Sequence, residues 1–175
     1  MTLARLLLLT GLPGAGKTTV VRRVADSLGD RVARGFTTEE LREEGARVGF
    51  SVVDLDGRRG QLARISFPSR HRVGRYGVDL ESFERLALPA LAFDPRVQLY
   101  LIDEIGKMEC LSPNFVAAVE RLLASEVTMV ATVARRGGGL IATVKERPDA
   151  DLWEVTPSNR EAMPGKVLDW LGRLA

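Results

Sequence analysis

The chain has 175 residues, of which 45% are hydrophobic and 27% are charged, and its formal net charge is +2. These values are typical of one globular domain, so we expect a single domain over residues 1–175. A charge this close to zero gives no electrostatic reason to expect nucleic-acid binding, and no apolar stretch approaches the roughly 18 residues needed to cross a membrane. The single cysteine, Cys110, excludes an internal disulfide and fits a cytoplasmic location.

The first third of the chain changes from an α/β pattern to a β pattern. Residues 3–9 are apolar apart from Arg5, which predicts a strand buried on both faces of a parallel sheet. Residues 17–28 follow as an amphipathic helix, with valines on one face and arginines on the other. Over residues 33–66, short β-prone segments predict two or three antiparallel strands, with a hairpin turn at Asp56-Gly57.

The rest of the chain alternates strands and helices. A Gly-rich loop, HRVGRYG, leads into a helix whose predicted N-cap is Asp79. The further predicted elements, in chain order, are a strand at 97–102, a helix at 113–125, a strand at 127–133, a strand at 151–155 and a helix at 164–174. Such alternation indicates a parallel α/β sheet.

The stretch GLPGAGKT satisfies the pattern G-x-x-x-x-G-K-[ST] between the first strand and the first helix. Its glycines allow several backbone N–H groups to point at phosphate oxygens, and the helix directs its positive end to the same place. Lys17 would contact the β- and γ-phosphates, and the Thr18 hydroxyl would be a ligand of Mg²⁺. The predicted nucleotide-binding residues of this loop are Gly11, Leu12, Pro13, Gly14, Ala15, Gly16, Lys17, Thr18 and Thr19.

A second acidic motif follows the strand at 97–102. Asp103 would interact with Mg²⁺ through the water shell of the ion. Glu104 would orient or deprotonate a water that attacks the γ-phosphate. Lys107, three residues further on, could offset charge on the phosphoryl oxygens, or could instead pair with Glu104 or Glu109.

These motifs alone leave three functions open. The first is Mg²⁺-dependent hydrolysis of a nucleoside triphosphate, with Lys17, Glu104 and Lys107 as catalytic residues. The second is a nucleoside or nucleotide kinase, because GLPGAGKTT also resembles the phosphate loop of nucleotide kinases. The third is a nucleotide-dependent switch whose turnover is activated by a protein partner of unknown identity. The adjacent Asp103-Glu104 pair, and the absence of a long arginine-bearing lid segment from the sequence, favour hydrolysis.

Five segments resemble the thermophile-type nucleoside-triphosphatase family, whose human member is called cancer-related nucleoside-triphosphatase. In chain order they are GLPGAGKTT, GFTTEELREEGARVGFSVVDLDG, RVGRYGVDLESFERLALPAL, DEIGKME and VTPSNR. The resemblance implies a RecA-like P-loop NTPase fold, that is, an α/β three-layer sandwich with a mostly parallel central sheet and an antiparallel hairpin insertion. It also implies Mg²⁺-dependent hydrolysis of ATP, GTP, CTP and UTP with little base selectivity.

Carried over by position, the resemblance marks a second nucleotide-contacting element that runs from Asp103 to Cys110. Its predicted binding residues are Asp103, Glu104, Ile105, Gly106 and Lys107. The family pattern KMEL is altered in this chain, where Cys110 replaces the leucine.

Three arginines are further candidates. Arg72 and Arg75 lie in the HRVGRYG loop and could act as a charge clamp on the triphosphate, or could simply be solvated. Arg160 follows the last predicted strand, where ligands of open α/β sheets lie, and could contact the base, or could simply belong to the loop that begins the last helix.

Overall fold

The computed structural model describes residues 3–175. Its elements are β1 (Leu6–Thr10), α1 (Lys17–Asp26), β2 (Ala33–Glu43), β3 (Ala46–Asp54), β4 (Arg59–Arg64), β5 (Arg72–Val73), β6 (Tyr76–Val78), α2 (Leu80–Ala90), β7 (Leu99–Ile105), α3 (Pro113–Leu123), β8 (Thr128–Val133), α4 (Leu140–Lys145), β9 (Ala150–Glu154) and α5 (Met163–Gly172). A short 3-10 helix at Glu109–Leu111 follows β7.

All nine strands form one sheet in the order β5-β6-β4-β3-β2-β7-β8-β1-β9. The five strands from β2 to β9 in this order are joined by parallel pairings. The other four strands, β3 to β6, extend the sheet by antiparallel pairings. The predicted hairpin insertion is therefore present and is larger than one hairpin.

Helices cover both faces of the sheet, and the alternation of side chains along the central strands explains how. On β1, Leu6 and Leu8 belong to the core beneath α2 and α3, whereas Leu7 and Leu9 belong to the core beneath α1 and α5. Successive side chains of a strand point to opposite faces, so a run of four leucines contributes to both cores. The result is the expected three-layer arrangement.

Two predicted boundaries differ from the structure. Strand β7 does not end before Asp103 but continues to Ile105, because Ile105 still pairs with Val133 of β8 after a shift in register. The HRVGRYG segment is not a loop but the two-stranded hairpin β5–β6, which turns at Gly74 with φ 56°.

The other predicted features are confirmed within a few residues at their ends. Asp79 is the N-cap of α2, and its carboxylate accepts a hydrogen bond from the Ser82 N–H at 3.0 Å. Asp56 and Gly57 form the turn between β3 and β4. Among residues 3–175, no helix combines the length and the hydrophobicity required to cross a membrane.

Candidate active site

The phosphate loop lies between the buried strand β1 and the first turn of α1. Gly16, directly before α1, has φ 107°, a conformation that strongly favours glycine. A Cβ at this position would lie 3.0 Å from Cδ of Arg160, so the loop following β9 packs directly against the phosphate loop. Helix α1 begins at Lys17 and directs its N-terminal N–H groups toward the loop.

One cleft of about 880 Å³ extends from the phosphate loop to the β2–β3 hairpin and the β5–β6 hairpin. The predicted site residues that line it are Pro13, Gly14, Ala15, Gly16, Lys17, Thr18, Thr19, Arg75, Glu104, Lys107 and Arg160. The predicted site residues that do not line it are Gly11, Leu12, Arg72, Asp103, Ile105 and Gly106. The two sequence motifs, far apart in the chain, therefore face the same space.

Lys17 and Glu104 oppose each other across this cleft. Lys17 Nζ lies 4.0 Å from Glu104 Oε2 and donates a hydrogen bond to the Gly11 carbonyl at 2.7 Å. Burial raises the pKa of the Glu104 carboxyl above its ordinary value, the Lys17 ammonium partly offsets this shift, and the Asp103 carboxylate adds to it. The Glu104 side chain is still 31% exposed, so it remains accessible from the cleft.

Asp103 lies behind Glu104 and is only 1% exposed. Its Oδ2 accepts hydrogen bonds from the Thr38 backbone N–H at 3.2 Å and from the Thr38 hydroxyl at 3.3 Å. Its Oδ1 accepts a third, from the Thr132 hydroxyl, at 2.7 Å. Two flanking strands, β2 and β8, thus fix the orientation of this carboxylate.

A third carboxyl group, that of Glu109, is buried beside Glu104. A Cβ added at Gly106 would lie 2.6 Å from Glu104 Oε1 and 2.7 Å from Glu109 Oε2, so Gly106 leaves room for both groups. Burial, reinforced by the negative charge of Glu104, raises the pKa of Glu109 well above its ordinary value. The same causes, burial first and then Glu109 and Glu104, raise the pKa of the Cys110 thiol to about 12. The acidic motif is therefore a compact cluster rather than one isolated base.

The predicted basic residues differ in their surroundings. Lys107 is exposed on the cleft, and among residues 3–175 no carboxylate oxygen lies within 4.0 Å of its ammonium group, so the alternative pairing with Glu104 or Glu109 is not observed. Arg75 lines the cleft from the turn of the β5–β6 hairpin. Arg72 is outside the lining, and its guanidinium donates a hydrogen bond to the Arg75 carbonyl at 2.8 Å.

Sequence reasoning missed several residues of the cleft and its supports. Thr38 and Thr132 orient Asp103, Glu109 adds a buried acid, and Arg47 with Tyr76 forms part of the far wall. The sequence does not identify either threonine as a site residue, because both lie in strands, where threonine is common. Only the position of Glu109 in the DEIGKME segment could have indicated it.

The residues present fit a magnesium ion. Thr18 and Glu104 line the cleft and offer oxygen atoms, the ligand type that Mg²⁺ prefers, and the buried Asp103 behind Glu104 could reach the ion only through water. In the part of the chain that the structure describes, no group of three or more His, Cys, Asp or Glu residues could enclose a metal by itself. Mg²⁺ is usually bound by one or two protein carboxylates together with phosphate and water oxygens, so a sparse set of this kind suits it.

Comparisons with known proteins agree with this geometry. A family model described as NTPase matches residues 6–168. The nucleoside-triphosphatase THEP1 of Thermotoga sp. (strain RQ2) is 41% identical over 167 residues, covering 94% of each chain. The cancer-related nucleoside-triphosphatase of Homo sapiens is 41% identical over 174 residues, covering 90% of this chain and 92% of the human one.

Solved structures give the same result. The crystal structure of THEP1 from the hyperthermophile Aquifex aeolicus superposes with a TM-score of 0.87 at 37% identity, covering 95% of this chain and 98% of that one. The solution structure of a human cancer-related nucleoside triphosphatase gives a TM-score of 0.80 at 38% identity, covering 95% and 96%. The fold is thus that of P-loop NTPases, and the chain belongs to the NTPase family that includes THEP1 and the cancer-related nucleoside-triphosphatases.

Proposed function

We propose that this protein hydrolyses nucleoside 5'-triphosphates, including ATP, GTP, CTP and UTP, to the diphosphate and inorganic phosphate, with Mg²⁺, and that it acts in the cytoplasm. The observation that carries the proposal is the 4.0 Å approach of Lys17 Nζ to Glu104 Oε2 across the cleft. A γ-phosphate bound by Lys17 would meet Glu104 on the side from which a water attacks. The names of the relatives support the same activity.

Each residue has a distinct part in this proposal. Backbone N–H groups of the loop from Gly11 to Gly16 bind the phosphates, and Lys17 offsets their charge. Thr18, directly, and Asp103, through water, would hold Mg²⁺, which would supply positive charge to the phosphate groups. Arg160, packed against Gly16, contacts the base by its planar guanidinium. Because every base has a flat face on which a guanidinium can stack, this contact is consistent with little selectivity among bases.

Glu104 performs the step that distinguishes hydrolysis from binding. Its carboxylate accepts a proton from the attacking water, whose oxygen forms the new bond to the γ-phosphorus while the bond to the β-phosphate oxygen breaks. The raised pKa of Glu104 makes its carboxylate a stronger base than a solvated glutamate. Lys107, which is free of acidic partners among residues 3–175, offsets charge that develops on the γ-oxygens.

The test is phosphate release from each of the four nucleotides, with Mg²⁺ or with EDTA, by the wild type and by Glu104→Gln. We expect Mg²⁺-dependent release from all four, and a loss of about 10²–10⁴-fold in Glu104→Gln with nucleotide binding retained. Glu146→Gln, at an exposed site outside the cleft, is the matched control and should match the wild type. Undiminished release by Glu104→Gln would contradict the assigned role, and no release despite nucleotide binding would contradict the hydrolase function.

A further inference from the structure

The cleft continues well beyond the phosphate loop and Glu104. Its remaining wall, which we call the far arm, is formed by Arg47, Phe50, Val73, Arg75 and Tyr76. These residues come from β3, from the β5–β6 hairpin and from its turn. At about 880 Å³ the whole cleft lies near the upper end of the range usual for small-molecule pockets, which leaves space besides that of one nucleotide.

The far arm has two guanidinium groups supported by aromatic rings. The guanidinium carbon of Arg47 lies 5.2 Å from the Phe50 ring centre, and Arg47 Nε donates a hydrogen bond to the Tyr76 hydroxyl at 3.0 Å. The guanidinium carbon of Arg75 lies 5.4 Å from the Tyr76 ring centre. The Phe50 and Tyr76 rings contact each other edge to face at 5.3 Å. Stacking of this kind orients both arginines before any ligand arrives.

The charge of the far arm is only partly neutralised. Arg47 pairs with Glu40 at 3.3 Å. For Arg75, no carboxylate oxygen of residues 3–175 lies within 4.0 Å of the guanidinium, which remains exposed on the cleft. An oriented and uncompensated guanidinium is a favourable partner for a phosphate group, which it can bind through two parallel hydrogen bonds.

The position of the far arm separates it from a triphosphate bound by the phosphate loop. The last parallel pair between β2 and β7 is Phe36 with Ile102, next to Asp103, and the partner of Arg47 on β2 is Arg42, six residues further along. At the usual rise per residue, the hairpin extends about 20 Å past that pair. Arg160, proposed for the base, packs against Gly16 of the phosphate loop and not against the hairpins. A nucleotide bound in this way leaves the far arm free.

We propose that the far arm is a second subsite that binds a nucleoside monophosphate while the phosphate loop is occupied by a nucleoside triphosphate. Arg75 and Arg47 bind the phosphate group, and the planar base stacks on the arginine and aromatic surfaces around Phe50. The inference rests on the proposed function, because it takes the phosphate loop as the triphosphate site.

Calorimetric titration tests this subsite. The full chain is first saturated with Mg²⁺ and the non-hydrolysable ATP analogue AMP-PNP, and AMP is then titrated into the loaded protein. We expect one molecule of AMP to bind, adenosine to bind at least about tenfold more weakly because it lacks the phosphate, and Arg75→Gln to weaken AMP binding by at least about tenfold. Arg75→Lys, which keeps the charge but not the paired donors, should give an intermediate affinity.

Arg70→Gln is the matched control, since Arg70 is an exposed arginine five residues earlier and outside the cleft. It should bind AMP as the wild type does. The proposal is overturned if the loaded wild type does not bind AMP, if AMP and AMP-PNP compete for one site, or if folded Arg75→Gln binds AMP as tightly as the wild type. The first titration, of AMP-PNP alone, reports separately on the proposed function. If it fails, AMP binding to the nucleotide-free protein, with or without Arg75→Gln, still decides the subsite.

Discussion

Gly106 is the residue on which the geometry of the acidic cluster depends. A Cβ atom at this position would lie 2.6 Å from Glu104 Oε1 and 2.7 Å from Glu109 Oε2, which is too close for either oxygen to stay in place. We therefore expect Gly106→Ala to displace Glu104 and to reduce kcat about 10- to 100-fold, because small misplacements of a catalytic group are costly. The measurement is steady-state phosphate release from ATP with Mg²⁺.

A second glycine serves as the control for this substitution. Gly138 lies in the connection between β8 and α4, and a Cβ there would meet no atom within 4 Å. Gly138→Ala should therefore keep the wild-type kcat. An equal kcat for Gly106→Ala and the wild type would show that Glu104 does not need its observed position.

Glu109 makes a prediction for stability against pH. The pKa of Glu109 is raised in the folded protein, so above about pH 4.3 the native state binds more protons than the unfolded chain. The free energy of unfolding contributed by Glu109 therefore falls as pH rises, until the pH exceeds the raised pKa. In Glu109→Gln this contribution is absent. The Tm of the variant minus that of the wild type should rise with pH from about pH 4 upward, as measured by thermal unfolding. A constant difference would contradict the raised pKa.

Some residues of the candidate site could be predicted from the sequence, and others could not. Lys17 and Glu104 belong to local patterns whose chemistry can be recognised without a structure, and the fold brings both to one cleft. Thr38 and Thr132 act only because β2 and β8 flank β7, and their strand neighbours are set by long-range pairing. No local pattern carries that information.

At the scale of elements, the buried cap of α3 should be a sensitive point. The Ser112 hydroxyl accepts a hydrogen bond from the Phe115 N–H at 3.0 Å and donates one to Glu84 Oε1 of α2 at 2.5 Å. Ser112→Ala removes both, so we expect a loss of about 1–2 kcal/mol in the free energy of unfolding. Denaturant unfolding measures it. Ser66→Ala, at an exposed turn, should lose less than about 0.5 kcal/mol, and an equal loss would contradict the capping role.

The boundaries of β7 and of the β5–β6 hairpin explain why elements were harder to predict than motifs. Asp103 and Glu104 interrupt an apolar run, so the pattern predicted an end at residue 102, yet pairing with β8 carries the strand to Ile105. The β5–β6 hairpin has strands of two and three residues, which are too short to give a periodic signal.

For the whole molecule, nucleotide binding should couple to global unfolding, because the cleft is built on the central sheet. A ligand at 100 times its Kd stabilises the native state by about 2.7 kcal/mol, which corresponds to a rise of about 5–10 °C in Tm for a chain of this size. We expect this rise with AMP-PNP and Mg²⁺, and little or none for Lys17→Ala at the same concentrations. Thermal unfolding with and without ligand is the measurement, and a full shift in Lys17→Ala would contradict the phosphate-loop assignment.

The overall architecture was the most predictable level. Alternating strands and helices indicate a parallel α/β sheet, and the phosphate-loop pattern places a site at its carboxyl edge, while the three-layer arrangement was implied by the family resemblance. The extent of the antiparallel part was not predictable, since the pairing of β4 with β6 joins segments separated by the irregular stretch 65–71.

Thr38 connects the β2–β3 hairpin to Asp103 and to helix α1 through hydrogen bonds. Its N–H and hydroxyl bind Asp103, while its carbonyl accepts a hydrogen bond from Arg22 of α1 at 2.5 Å. Strand β2, which runs from the core into the β2–β3 hairpin, is therefore hydrogen-bonded at one residue both to Asp103 of β7 and to the helix that follows the phosphate loop. Because one residue joins Asp103, α1 and the base of the β2–β3 hairpin, a shift of Asp103 or of α1 would act directly on the base of that hairpin.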